Sequence, residues 1–177
     1  SYVEAYQITR EPFFAEVARD ILEYVRRDMT DKQGGFHSAE DADSLLAAGK
    51  PEHAEGAFYV WTSDQIRQAL GEERAKLFSA YYGVEAKGNA PKKSDPRGEF
   101  SGKNILIERQ SISTLAKAFQ LTETEARQGL DESRQKLFAL RAKRPRPHLD
   151  DKVVTAWNGL MISAFARASQ VLDEPAY

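Results

Sequence analysis

Residues 144–162 read R-P-R-P-H-L-D-D-K-V-V-T-A-W-N-G-L-M-I, a stiff charged loop that runs directly into an apolar helix. The alternating prolines Pro145 and Pro147 fix φ and favour an extended path, so Arg146 and His148 project from a rigid segment. Asp150, Asp151 and Lys152 then crowd opposite charges into three residues, and Trp157 and Asn158 follow one to two helical turns later. Trp157, Leu160, Met161, Ala164, Phe165, Ala168 and Val171 or Leu172 recur at helical spacing. That spacing predicts a final helix starting between Asp151 and Thr155 and reaching Leu172. Its apolar surface is wide enough to imply burial on more than one side.

Working back towards the start, Phe13, Phe14, Val17, Ile21, Leu22 and Val25 mark one face of a helix over 12–28, with Pro12 in its first turn. Asp31-Lys32-Gln33-Gly34-Gly35 ends it. Residues 35–38 then read as a short strand facing a second at 56–61. The roughly 17 residues between them exceed a tight turn, so a long acidic loop is expected to top the hairpin. Thr62 and Gln65 have capping-box spacing and open a short helix that Gly71 stops; another follows over 72–82, ended by Gly83. Residues 84–103 hold Gly88, Pro91, Pro96, Gly98 and Gly102 and read as loop, with at most a brief strand over 104–107. Thr122 and Glu125 repeat the capping box before a helix reaching about Ala142, with Ala126, Leu130, Leu137 and Leu140 on one face. The expectation is a mainly α chain, without internal repeats, carrying a β-hairpin inserted where two helices meet.

At 177 residues and 41% hydrophobic content, the chain suffices for one cored domain and is too short to argue for two. Lys and Arg total 25 against 27 Asp and Glu, a net charge of −2, which removes the general electrostatic argument for binding nucleic acid or an anionic membrane. The absence of cysteine excludes disulfides, thiolate metal sites and a cysteine nucleophile. No apolar run approaches the roughly 18 residues of a membrane span, and nothing reads as a signal peptide; the expected location is the cytoplasm. An amphipathic pattern is already under way at Tyr2, Val3 and Tyr6, which suggests a piece of something longer. A piece would leave Leu160, Phe165 and Leu172 uncovered, so the isolated chain is expected to self-associate.

Several motifs are spread along almost the whole sequence: G-G-F-H-S-A-E-D-A-D-S over 34–44, G-A-F-Y-V-W-T over 56–62, Y-Y-G-V with G-N at 88–89, G-K-N-I-L over 102–106, and the R-P-R-P-H segment itself. Together they resemble the middle section of the family typified by spermatogenesis-associated proteins that carry an N-terminal thioredoxin-like domain. The resemblance implies that residues 1–177 are part of an (α/α)6 toroid, similar to N-acylglucosamine 2-epimerases and six-hairpin glycosidases. The thioredoxin-like domain, with its redox cysteines, has no counterpart in this chain. His37 stands where the family usually has Tyr, which argues against an essential role for that side chain. What the resemblance implies for function is a carbohydrate-related isomerase, epimerase or hydrolase domain of a larger protein, with a carbohydrate ligand and a thioredoxin-like partner domain. The competing class is a non-catalytic module that binds a peptide or glycan and works with that partner.

Among candidate site residues, Glu40, Asp41 and Asp43 form an acidic cluster in which two carboxylates could act as general acid and base in glycoside chemistry. Capping a turn is the alternative for them. His148 is the leading proton carrier, because imidazole titrates near neutrality and Asp150 or Asp151 could orient it; in epimerases of similar fold, histidines abstract and return protons. The alternative for His148 and Arg146 is a hydrogen-bonding role that locks the loop. Trp61, Tyr59, Phe58 and Trp157 could offer aromatic faces to a sugar, although strand alternation would divide Phe58 and Val60 from Tyr59 and Trp61, and Trp157 could equally be core. Asn158, a polar amide on an apolar helix, needs a partner and either caps the helix or points into a cleft. No metal or cofactor is expected. The basic loop 87–97 lacks a phosphate-binding pattern and reads as solvated and mobile.

Overall fold

The computed structural model describes residues 1–91, 95 and 98–177; the basic loop therefore falls partly outside the described residues. The chain is mainly helical, with seven helices among the described residues. It divides into two compact units, one formed by residues 1–41 and 148–177, the other by 42–147.

In the first unit, α1 (Tyr2–Thr9) and α2 (Pro12–Asp28) are joined at Arg10, which takes the left-handed conformation. Pro12 occupies the first turn of α2, where its missing N–H costs nothing. Two short strands, β1 (Ala39–Glu40) and β4 (Leu149–Asp150), pair antiparallel in the register Ala39↔Asp150 and Glu40↔Leu149. The last helix, α7 (Thr155–Leu172), contributes Ala168 and Leu172 to a core with Ala15, Ala18 and Leu22 of α2. Val3 and Tyr6 of α1 and Phe165 of α7 pack against it.

The second unit opens with a hairpin of β2 (Asp43–Leu45) and β3 (His53–Glu55). Four helices follow: α3 (Ser63–Leu70), α4 (Glu72–Tyr82), α5 (Ile112–Phe119) and α6 (Glu123–Arg141). The capping boxes expected at Thr62/Gln65 and Thr122/Glu125 are both formed, and Gly83 ends α4 in the left-handed conformation. Trp61, Ile66, Phe78, Tyr81, Leu115, Ala126, Leu130 and Leu137 belong to one apolar core. Asn104, fully buried, staples this unit: Oδ1 accepts from Glu85 N–H at 2.8 Å, and Nδ2 donates to the carbonyls of Trp61 and Glu85 at 3.2 and 3.1 Å. Asn89 does the same between Gly83 and Ile105. Gly88 has φ +85°, and a Cβ there would lie 2.5 Å from the Lys103 carbonyl oxygen, so the G-N and G-K-N motifs are structural.

The hairpin is displaced from its expected place. Residues 35–38 do not face 56–61; Phe36 makes an isolated bridge to Thr30, and Trp61 bridges Asn104. The pairing residues lie inside the stretch expected to be loop. Residues 56–59 form a turn instead of a strand, with Gly56 at φ +64° and its carbonyl accepting from Tyr59 and Val60 N–H. High β-propensity in F-Y-V-W yields there to turn hydrogen bonds and to burial of Phe58, Val60 and Trp61. Residues 104–107 contribute only the Asn104 bridge. Helix α5, absent from the expectation, begins at Ser111, whose side chain accepts from Thr114 N–H. The breadth of α7 is also corrected: its buried residues are Ala168 and Leu172, while Trp157 and Leu160 are 57% and 72% exposed.

Candidate functional site

The first unit brings the acidic stretch and the His148 loop together through backbone pairing. Beyond the Glu40↔Leu149 pair, Asp41 N–H donates to the His148 carbonyl at 2.8 Å, so the ladder sets Asp41 opposite His148. Side chains alternate along strands. Asp41 and His148 thus share the face that carries Ala39 and Asp150, whereas Glu40 shares the other with Leu149. Exposure follows this division: Asp41 and His148 are exposed and Glu40 is half-buried.

Glu40 is turned onto α2, where the Tyr24 hydroxyl donates to its Oε2 at 2.9 Å. It does not face Asp41 as the second member of an acid–base pair. Asp150 is also engaged. Lys152 Nζ sits 2.9 Å from its Oδ2, and hydrogen bonding from Lys152 holds the Asp150 carboxyl below the usual carboxylate range. The Asp150 backbone carbonyl accepts from Ser38 N–H at 3.2 Å and from Ser38 Oγ at 3.0 Å. Asp151 is exposed and takes part through its backbone: its carbonyl oxygen lies 3.3 Å from His37 Nδ1, which donates in the Nδ1–H tautomer.

Asn158 has its amide fully occupied by this segment. Oδ1 accepts from Phe36 N–H at 2.7 Å, while Nδ2 donates to the carbonyls of Phe36 at 3.0 Å and Val154 at 3.1 Å. The side chain substitutes for a neighbouring strand along Phe36. The Phe36 ring stacks on Phe165 at 5.4 Å, and Gly35 lies close against Val153, where a Cβ would meet Val153 Cγ1 at 3.1 Å. Asn158 therefore anchors the chain entering β1 and is no open ligand group. Its neighbour Trp157 is exposed.

The remaining candidates lie in the second unit. Trp61 is 4% exposed, with the Arg144 guanidinium 3.9 Å from its ring centroid. Its face is already covered, which removes it as a sugar platform. Arg144 Nη1 also donates to the carbonyls of Phe58 at 2.9 Å, Val60 at 2.8 Å and Ala57 at 3.4 Å. Burial, followed by the like charge of Arg141, lowers its pKa from the ordinary guanidinium value. Arg144, and not Arg146, is the half-buried cation of the R-P-R-P segment. Arg146 is exposed, with its guanidinium 5.2 Å from the Phe58 ring centroid. Tyr59 is exposed, edge-on to Phe58 and 5.2 Å from the Arg141 guanidinium. Asp43 pairs with Glu55 in the hairpin.

Sequence reasoning missed Tyr24, Lys152 and Arg144 as partners of these groups. Lys152 was legible as the charge two residues from Asp150. The Arg144 contacts span 84–87 positions, and no local pattern signals them. Among the described residues, no group of three or more His, Cys, Asp or Glu could hold a metal ion, and no helix is long and apolar enough to cross a membrane.

No protein-family model matches the chain. Homologues exist nonetheless. The chain is 39% identical over 183 residues to spermatogenesis-associated protein 20 of Homo sapiens and 42% over 175 residues to that of Mus musculus. It is 38% identical over 167 residues to an uncharacterized protein of Caenorhabditis elegans. These alignments cover 98%, 93% and 91% of the chain and 23%, 22% and 23% of the three relatives. The chain thus spans about a quarter of the length of the relatives it matches.

Proposed function

We propose that this chain is part of an (α/α)6 toroid in a larger protein and supplies the proton-transfer edge of a carbohydrate epimerase or isomerase. The observation that carries the reading is the exposed pair formed where β1 and β4 meet, an imidazole at His148 opposite a carboxylate at Asp41. An imidazole can take a proton from carbon and return it, and a neighbouring carboxylate stabilises the imidazolium that forms between the two steps. Epimerase-type chemistry fits better than glycoside hydrolysis, which uses two carboxyl groups across the scissile bond. Here Glu40 is held by Tyr24 and Asp150 by Lys152. The mainly helical structure supports a helical architecture, and the length of the relatives supports a larger protein; shared architecture alone does not specify a reaction.

The test uses a polypeptide of the relatives' length that contains these residues, incubated in D2O with neutral aldoses and N-acyl hexosamines. Proton abstraction and return exchanges the hydrogen next to the carbonyl, so its NMR signal fades with time. His148→Ala should stop the exchange while leaving the melting temperature within a few degrees, because an exposed loop side chain supports little packing. Failure to exchange, convert or bind any of the sugars overturns the proposal. Saturable binding without exchange selects the second reading, a peptide- or glycan-binding module working with a thioredoxin-like domain. That reading is favoured by the exposed Trp157 ring.

A further inference from the structure

The second unit gathers positive charge at the end of α6. Arg141, Lys143, Arg144 and Arg146 place four cations in six residues, and no Asp or Glu occurs from Ser133 to Pro147. Arg141 closes the helix, where the helix dipole favours a cation; the other three lie beyond it. Arg144 is held from two sides. Its guanidinium lies 3.9 Å from the Trp61 ring centroid, and Nη1 donates to the carbonyls of Phe58, Val60 and Ala57. These contacts fix the plane of the group and occupy one of its nitrogens. A guanidinium carries five donors in a rigid fork, so Nε and Nη2 form a second edge with two parallel N–H groups. Among the described residues, no acceptor meets that edge and no carboxylate pairs with Arg144. No side-chain nitrogen among them is both sealed from solvent and without a partner, so the edge faces water. Arg141 stands nearby, its guanidinium 5.2–5.4 Å from the ring centroids of Phe58, Tyr59 and Phe138. Burial, and then the like charge of Arg141, weigh against the protonated form of Arg144, and an anion at the open edge offsets both.

We propose that the Nε/Nη2 edge of Arg144, with Arg141 beside it, binds the phosphoryl group of a small phosphate monoester. The fork matches two oxygens of a phosphate, and a third remains for a neighbouring cation. A monoester carries a charge of about −1.5 to −2 at neutral pH, which suits two adjacent guanidiniums better than the single charge of a carboxylate. A polyanion fits less well, because the chain as a whole carries −2. All the residues involved belong to the unit formed by residues 42–147, and the proposal does not depend on the proton-transfer reading of His148 and Asp41.

The test titrates the 177-residue chain with inorganic phosphate, glucose 6-phosphate and glucose at constant ionic strength. Trp61 emission, read in a Trp157→Phe background, reports the ring against which Arg144 lies. Both phosphates should give a saturable change with a Kd below about 1 mM, and glucose none. Equal affinity for the two phosphates assigns the contact to the phosphoryl group alone; tighter binding of glucose 6-phosphate adds the sugar ring, and either supports the proposal. Arg144→Lys should weaken binding at least about tenfold, because an ammonium keeps the charge and loses the fork. Arg141→Gln, which leaves the Arg144 contacts in place, should weaken it at least about threefold. In the unsubstituted chain, the NMR signal of the Arg144 Nε–H should move on saturation, which keeps the test valid if Arg144→Lys folds poorly. An unsaturable response, the same response to chloride, glucose binding as tightly as its phosphate, or undiminished binding in both variants overturns the proposal. A protein that exchanges no hydrogen on any neutral sugar would leave it standing.

Discussion

Replacing Asn158 by Ala removes three hydrogen bonds at one stroke: Phe36 N–H to Oδ1 at 2.7 Å, and Nδ2 to the carbonyls of Phe36 and Val154 at 3.0 and 3.1 Å. A net contribution of about 1 kcal/mol for each bond gives an expected loss of about 2–3 kcal/mol. The Phe36–Phe165 stack and the Gly35–Val153 contact remain, so the segment loosens and does not dissociate. For a chain of this size, that loss lowers the melting temperature by about 4–12 °C, followed by circular dichroism. Trp157→Ala, one residue earlier, is the internal control. Its ring is more than half exposed, and the expected change is under about 1 kcal/mol. Asn158→Asp sharpens the argument. The new carboxylate can still accept from Phe36 N–H, but it faces two carbonyl oxygens with no proton to offer, which raises its folded pKa above the unfolded value near 3.9. A raised folded pKa gives stability that is full below the unfolded pKa and lost as pH rises through the folded one. Asn158→Asp should therefore gain on the wild type as the solution is acidified. If Asn158→Ala costs less than about 0.5 kcal/mol, the amide does not hold β1 in place, and its reading as an anchor fails.

Arg144→Met leaves the Phe58 and Val60 carbonyls without their guanidinium partner and uncovers Trp61; a loss of about 2–4 kcal/mol is expected in urea unfolding. Arg144→Lys should fall between that and the wild type, since a single ammonium replaces a planar fork. Gly88→Ala combines φ +85° with a Cβ 2.5 Å from a backbone oxygen and should cost at least about 2 kcal/mol, whereas Gly49→Ala, with open space around it, should cost less in the same assay. Burial and then Glu108 push Tyr81 up to about 12. Because its folded pKa is raised, the stability it contributes is complete below about pH 10 and is lost between about pH 10 and pH 12. Tyr81→Phe should weaken that alkaline loss in denaturation curves at successive pH values.

Helices were the most legible part of the chain. Residues 12–28 and 72–82 and both capping boxes are local devices, in which a cap, an apolar stripe and a stop residue lie within one or two turns. Helix α5 carries the same signal at Ser111, Ile112, Leu115, Ala116 and Phe119, but its short stripe lies next to a loop rich in Gly and Pro. The displaced hairpin failed for a different reason. F-Y-V-W has strand propensity, yet its carbonyls are gathered by an arginine more than eighty residues away, and propensity does not count distant partners.

The candidate site shows the same boundary. Sequence alone determined that His148 stands on a stiff loop beside acidic residues, that Asn158 needs a partner, and that charge and composition give no general case for nucleic-acid binding. Tertiary structure alone decided that Asp41 lies opposite His148, that Glu40 belongs to Tyr24, that Asn158 is consumed by Phe36, and that Trp61 is sealed beneath Arg144. Caps, turns and periodicity are written in neighbouring residues and can be read there. The partner of a buried amide or guanidinium is fixed by long-range packing, where each polar group must find a hydrogen bond among whatever the fold brings near.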